Sequence, residues 1–188
     1  MLRWRRRTRP RPWWLLVALF GMAALGPSSG ATGSATQGLT AVIYPAAKLS
    51  VPASVGMTAA SGKFSSFQAS LPISYRVRST AMGGGNIAVQ VTSDFSPTGG
   101  PSAGAGAGAL MYSCASASLG TPCAGTQVAA PNSQTPVLAI PAGACTGGGG
   151  ACSPLDPNSV TINFTLSDDP GYATGSYSAQ LTFVISST

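Results

Sequence analysis

The sequence contains no histidine and no glutamate, and its 188 residues include only four aspartates. Without histidine, neither a Ser-His-Asp nor a Cys-His catalytic arrangement can form, and no histidine metal site exists. Hydrolysis by paired carboxylates would depend on the aspartates alone, and the adjacent Asp168 and Asp169 point to opposite faces of an extended chain. We therefore expect a protein that is not an enzyme and has no cofactor.

The glycine-rich stretches lack the residues that nucleotide-binding loops require. Residues 98–109 include an alternation of alanine and glycine, and residues 146–150 are threonine followed by four glycines. A phosphate loop needs lysine and serine or threonine after its glycines, and a dinucleotide loop needs a helix behind it. Neither is present, so we interpret both stretches as mobile surface loops.

Positive charge is concentrated before Trp13. The formal net charge is +6, but six of the ten basic residues are arginines that precede Trp13. The other four, Lys48, Lys63, Arg76 and Arg78, balance the four aspartates, so the rest of the chain has a net charge of 4 − 4 = 0. We therefore expect no nucleic-acid partner, and near-zero net charge favours self-association.

The N-terminal region has the layout of a secretory signal peptide. A cationic region at 1–12 precedes an apolar stretch at 13–25, and small residues follow at 26–35. The apolar stretch has 13 residues, fewer than the ~20 that a membrane-spanning helix needs. We predict a signal peptide at 1–31 with cleavage somewhere in 31–35. The mature protein would then have no stable membrane span and would be secreted, periplasmic or attached to the cell surface.

Apolar and polar residues alternate with period two along the rest of the chain, which is typical of half-buried β-strands. The clearest strands are predicted at 71–79, 86–93, 159–167 and 176–186. Weaker ones are predicted at 39–44, 48–52, 54–59, 64–69, 109–114, 126–129 and 136–140.

Helical apolar stripes with caps are missing after the N-terminal region. The sequence therefore predicts an all-β fold, a single antiparallel β-sandwich of Ig-like or jelly-roll type over 37–188. Its Gly-rich, disulfide-bearing loops would lie at 98–109 and 141–158. Residues 83–86 are predicted to join two strands as a hairpin, and 168–171 to open the connection to the final strand, with Pro170 able to take the second position of a turn.

Four cysteines in an exported chain indicate two disulfides, for which three pairings exist. The sequential pairing, Cys114–Cys123 and Cys145–Cys152, closes two short loops without any assumption about the fold, whereas the nested and crossed pairings stay open. A four-cysteine zinc site is disfavoured, because zinc ligands usually lie two to four residues apart within each pair.

One group of oxygen-bearing side chains flanks the predicted strand at 159–167. Asp156 and Asn158 precede this strand, and Asp168 and Asp169 follow it. Carboxylate and amide oxygens of this kind bind calcium, although turns favour the same residues. We keep all four as calcium candidates.

The C-terminal pattern Gly175-x-Tyr177-x-Ala179-x-Leu181-Thr182-Phe183 resembles the closing strand of bacterial surface β-sandwiches. It is similar to the endings of spore-coat-U/fimbrial-type domains and of WxL-like domains. The tryptophan motif of the latter is absent, and the cysteine positions do not follow a pilin pattern. The resemblance implies a secreted surface or appendage component and assigns no catalytic residue.

Two functions follow as expectations. The first is a non-catalytic structural or adhesive surface protein, a pilin-like subunit of an extracellular assembly whose partners are its own copies or other cell-surface proteins. The alternative is a monomeric module that binds carbohydrate or another envelope component.

The segment 37–45 is a candidate for strand exchange between copies. Leu39, Ala41 and Ile43 share one face of this extended segment, and Val42 and Tyr44 share the other. Such a segment can add to the sheet edge of a neighbour. The alternative is that it forms the first strand of its own domain.

Overall fold

The computed structural model describes residues 38–79, 82–104, 106, 108–144 and 157–187. The chain divides into two compact units, Met1–Ala41 and Val42–Thr188. All described strands lie in the second unit, and 38–41 are the described residues of the first. The predicted signal peptide at 1–31 lies outside the described residues. No helix among the described residues is long and apolar enough to cross a membrane.

Two antiparallel sheets form the fold, which confirms the predicted all-β class. The first sheet has the order β1-β3-β9-β5-β7 with β2 paired to β3, and the second has the order β10-β4-β8-β6. The strands are β1 Ala46–Ser50, β2 Thr58–Ala59, β3 Phe67–Arg78, β4 Gly85–Ser96, β5 Met111–Ala117, β6 Thr121–Pro122, β7 Thr126–Val128, β8 Thr135–Ile140, β9 Asn158–Leu166 and β10 Ser178–Ser187.

The core lies between the inner faces of the two sheets. In β9, for example, Val160, Ile162, Phe164 and Leu166 are buried and alternate with more exposed polar residues. Because successive side chains of a strand point to opposite faces, this period of two turns one apolar face inward. Side chains of both sheets join in one apolar cluster, which includes Ile73, Tyr75, Ile87, Val89, Tyr112, Val137 and Ile162.

The predicted hairpin at 83–86 is wrong. Strand β3 belongs to the first sheet and β4 to the second, so the chain crosses between the sheets here. Glycine is needed at both positions because the backbone of other strands lies close to them. A Cβ on Gly84 would lie 2.5 Å from the carbonyl oxygen of Ile140, and a Cβ on Gly85 would overlap the carbonyl oxygen of Ser186. Real Cβ atoms essentially never approach backbone so closely.

The strand register defines two ends of the sandwich. At the upper end β1 begins and β3 finishes, with Ala46 opposite Arg78. At the lower end β3 begins and β9 finishes, with Phe67 opposite Leu166. Strand β10 runs from the lower end to the upper end, since it is antiparallel to β4, which follows β3 after the crossing between the sheets.

Candidate assembly surface

The segment 38–45 carries large apolar side chains that face solvent. Leu39 is 97% exposed, Val42 69%, Ile43 71% and Tyr44 71%. Exposed apolar residues that stand alone are ordinary, but a contiguous run of them marks an interaction surface. The described part of this segment is therefore the first component of the candidate site.

The structure contradicts the predicted strand at 39–44, since the first strand begins only at Ala46. The reason is the length of its neighbour: β3 finishes at Arg78, opposite Ala46, so earlier residues have no β3 residue to pair with. The Nε of Arg78 donates a hydrogen bond of 2.7 Å to the carbonyl oxygen of Tyr44. The backbone is thus held at the upper end, immediately before β1.

Strand β10 is the second component, because it forms an edge of the second sheet. Its inward-facing residues Leu181, Phe183 and Ile185 pack against the core but are only partly buried. On the neighbouring strand β4, Ile87 and Val89 are fully buried. The residues of β10 are less buried than those of β4 because β10 is an edge strand, with a neighbouring strand on one side only.

Strand β1 is the matching edge of the first sheet, and it approaches β10 on the same side of the sandwich. Leu49 in β1 and Val51 directly after it are also partly buried against the core. No ladder joins β1 to β10 among the described residues. This side of the sandwich therefore offers both free backbone groups and a stripe of half-buried apolar side chains.

Sequence reasoning did not identify this open edge. The alternation in 176–186 predicts a strand with one apolar face, and β10 confirms that strand. Period two identifies the face that turns inward, but it carries no information about which strands lie alongside. The edge position of β10 is a property of the topology and has no local signal in the sequence.

The loop that follows β4 at the lower end is ordered around a single carboxylate. Asp94 Oδ1 accepts hydrogen bonds of 2.7 Å from the amides of Phe95 and Ala103, and its Oδ2 accepts one of 2.6 Å from Ser102 Oγ. Ala103 is fully buried. The described residues of 98–109 are therefore held to the end of β4 through this carboxylate.

The ionisation of Asp94 reflects these contacts. Burial acts to raise the pKa of its carboxyl, but the hydrogen bonds from Ser102, Ala103 and Phe95 outweigh it and hold the pKa below its usual value. Asp94 is therefore a structural anion in the loop, and its oxygens already have partners within the protein.

The three calcium candidates that the structure describes do not form one site. Asn158 is buried at the start of β9, where its Oδ1 accepts a hydrogen bond of 3.3 Å from Ser118 Oγ. Asp168 and Asp169 follow the other end of β9, roughly 25–30 Å away at about 3.3 Å per residue. Asp156 lies outside the described residues. Among the described residues, no group of three or more His, Cys, Asp or Glu side chains could hold a metal.

Asp169 is the first residue of the turn after β9, in which Pro170 follows it as the sequence predicts. Its backbone carbonyl accepts the Tyr172 amide at 3.0 Å, so Pro170 occupies the second position of a four-residue turn. Its Oδ1 accepts the Gly171 amide at 2.8 Å. Asp168 and Asp169 together leave negative charge on the surface at the lower end.

Cys114 and Cys123 form a disulfide, which confirms the first half of the sequential pairing. Cys114 lies in β5 and Cys123 just after β6, so this bridge lies outside the predicted loop at 98–109. Cys145 and Cys152 lie outside the described residues.

Two concave places on the described surface are open grooves. One is lined by Lys48, Ser74, Arg76 and Pro157, and another by Thr58, Gln68, Asn163 and Thr165, among others. Of the aromatic side chains that could stack on a sugar, Tyr75 and Tyr112 are fully buried in the core, whereas Tyr44 and Phe64 are exposed.

Comparison with known proteins gives no assignment: no family model matches this chain, and neither curated proteins nor solved structures yielded a match.

Proposed function

We propose that this chain is a non-catalytic, exported structural subunit that assembles with copies of itself through its N-terminal segment. The observation that carries the proposal is the exposed apolar run from Leu39 to Tyr44, which takes part in no described strand. A polar chain end would need no partner, whereas burying these side chains stabilises an assembly by about 25 cal/mol per Å² of apolar surface.

Strand addition to a sheet edge is the form of assembly that this segment fits. Backbone hydrogen bonds provide affinity, and alternate side chains occupy pockets along the edge. The segment alternates between the face of Leu39, Ala41 and Ile43 and the face of Val42 and Tyr44. Pro45 limits the added strand, because proline has no amide hydrogen to donate.

The charge of the mature chain is consistent with this role. Beyond the predicted signal peptide, four basic and four acidic residues cancel, so copies repel one another little. The absence of histidine and glutamate from the sequence removes two of the commonest acid–base groups of enzymes and leaves four aspartates as the only acidic side chains.

The test compares the mature wild-type protein with a variant that lacks residues 37–44, by analytical ultracentrifugation over a range of concentrations. We expect concentration-dependent oligomers or filaments for the wild type and folded monomers for the deletion. Two point variants provide a matched pair that adds the same charge: Ile43→Asp should weaken assembly strongly, and Thr40→Asp, on the opposite face, should weaken it less. A wild type that stays monomeric at high concentration, or equal effects of the two point variants, would overturn the proposal.

A further inference from the structure

One of the two grooves lies on the outer face of the first sheet, towards the lower end of the sandwich. It runs between the residues that lead into β2 and the paired strands β3 and β9, and its volume is about 490 Å³. Ligand sites in proteins usually have volumes of about 300–1,000 Å³. Its described lining has no charged side chain, and its polar side chains are those of Thr58, Gln68, Ser70, Asn163 and Thr165.

The strand register places these five polar side chains on one face. Gln68 of β3 lies directly opposite both Thr58 of β2 and Thr165 of β9. Ser70 and Asn163 form the next row, about 6.6 Å along the strands at about 3.3 Å per residue, with about 4.8 Å between neighbouring strands. The groove therefore presents a compact array of hydroxyl and amide groups.

None of these five side chains forms a hydrogen bond with a described residue. Polar side chains on the outer face of the second sheet behave differently. There Thr182 Oγ1 donates to Thr92 Oγ1 at 3.2 Å, and Ser186 Oγ donates to Asn86 Oδ1 at 2.7 Å. The side chains of the groove thus keep their donors and acceptors for a ligand.

The hairpin between β2 and β3 exposes an aromatic ring at the same end of the sheet. Phe64 is 64% exposed, and its φ of 56° lies in the left-handed region that bulky residues rarely adopt. Ser65 Oγ fixes the hairpin around it by accepting the Ser61 amide at 3.0 Å and donating to the Gly62 carbonyl oxygen at 3.2 Å. Phe64 precedes Gln68 by four residues, so the two Cα atoms lie within about 13 Å at about 3.3 Å per residue.

Folding alone gives no reason for phenylalanine at position 64. Glycine adopts this backbone conformation without strain, and a ring that served the core would be buried. Backbone strain of this kind is concentrated at functional sites. The exposure and the φ of Phe64 together indicate that the ring contacts a ligand.

We infer that the groove binds a neutral carbohydrate, held by hydrogen bonds to Gln68 and Asn163 and by stacking on the ring of Phe64. Amide and hydroxyl side chains donate and accept hydrogen bonds, as the hydroxyl groups of a sugar do. The aromatic ring and the 42%-exposed side chain of Val55 offer apolar surface to the C–H groups of the sugar. An acidic ligand would instead require arginine or lysine in the lining.

This inference goes beyond the proposed self-assembly and does not depend on it. The groove lies towards the lower end of the sandwich, whereas Tyr44 is hydrogen-bonded to Arg78 at the upper end. A subunit that binds sugar in the groove keeps its N-terminal segment available for assembly.

A glycan array with neutral, sialylated and sulfated oligosaccharides tests the ligand class on the mature protein. We expect binding to neutral oligosaccharides. Binding to acidic oligosaccharides alone, or to none on the array, would overturn the inference, whatever the oligomeric state of the protein.

Calorimetric titration with the neutral oligosaccharide that gives the strongest signal on the array then tests the site. Gln68→Ala and Asn163→Ala should each weaken binding about tenfold, as expected for the loss of one hydrogen bond. Gln180→Ala is the matched control, because it removes an exposed amide from the second sheet, and it should leave affinity unchanged. Equal effects of Gln68→Ala and Gln180→Ala would show that the groove is not the site.

Two substitutions at position 64 separate a contact with the ligand from a role in folding. Phe64→Gly should weaken binding at least tenfold without lowering the midpoint of denaturant unfolding, because glycine relieves the backbone strain. Phe64→Tyr keeps the ring and should keep the affinity. A glycine variant that binds as the wild type does, or one that loses stability together with affinity, would contradict the stacking role.

Discussion

At the scale of single residues, Asp94 explains why a loop of small residues has a defined structure. Alanine, glycine and serine side chains bury little surface, so such a loop gains little from packing. Three hydrogen bonds to one carboxylate replace that missing stabilisation. Close packing adds to it: a Cβ on Gly100 would lie 2.2 Å from Cε1 of Tyr177.

We predict that Asp94→Asn destabilises the protein by about 1–2 kcal/mol, because charged acceptors form stronger hydrogen bonds than neutral ones. Denaturant unfolding at pH 7 measures this. Asp168→Asn is the control, since it removes the same charge from a residue that accepts no hydrogen bond from a described residue, and it should change stability far less. Equal effects of the two substitutions would show that the hydrogen bonds contribute nothing specific.

The pH dependence of stability should differ between the wild type and Asp94→Asn. Because the pKa of Asp94 is lowered in the folded state, its contribution is present above the unfolded pKa of about 3.9 and is lost as the pH falls through the folded value. The stability difference between the two proteins should therefore narrow in acid. A difference that stays constant from pH 7 to pH 2 would contradict this account.

At the scale of elements, the disulfide holds short strands that have few neighbours. It connects β5 to the residue after β6, and β6 has only two residues. Replacing both Cys114 and Cys123 by alanine should cost about 2–3 kcal/mol on the chain-entropy model for a loop of this length. Denaturant unfolding without reductant compares the variant with the wild type. An unchanged unfolding midpoint would mean that the ladder alone holds this region.

Peptide mapping under non-reducing conditions tests the second predicted bridge. We expect a Cys145–Cys152 peptide, because Cys114 and Cys123 pair with each other and an exported chain favours oxidation of the remaining two. Recovery of free thiols from exported protein would contradict the prediction.

The sequence predicts strands better than it predicts their arrangement. Alternation over 159–167 corresponds to β9, and alternation over 86–93 lies within β4, because both strands bury one face. The same alternation at 39–44 fails, since pairing depends on where β3 finishes. The hairpin at 83–86 fails for a related reason: glycines mark a change of direction, but not whether the chain stays in one sheet.

The sequence predicted only one part of the candidate site. The segment from Leu39 to Tyr44 can be recognised as apolar because that depends only on which residues it contains. The open edge of β10 could not be predicted, because the partial exposure of Leu181 and Phe183 depends on the order of strands in the sheet. Asn158 cannot share a calcium site with Asp168 and Asp169, because residues that flank a strand in sequence lie at opposite ends of it in space.

At the scale of the whole molecule, we propose that assembly depends on removal of the predicted cationic leader. The complete chain has a formal charge of +6, and loss of the six arginines before Trp13 leaves zero. Mutual repulsion between copies would therefore disappear with the predicted cleavage. Cleavage at the predicted position would also bring the new chain end within a few residues of Leu39, so that the apolar segment could reach a neighbour.

We predict that the mature protein begins between Thr32 and Thr36, since small residues follow the apolar stretch there. Intact-mass measurement of the exported protein determines the first residue directly. A mass that includes Arg3 to Arg11 would contradict the leader assignment, and it would also remove the neutral charge on which self-association rests. A start after Leu39 would remove part of the donor segment, and assembly by such a protein would have to use another surface.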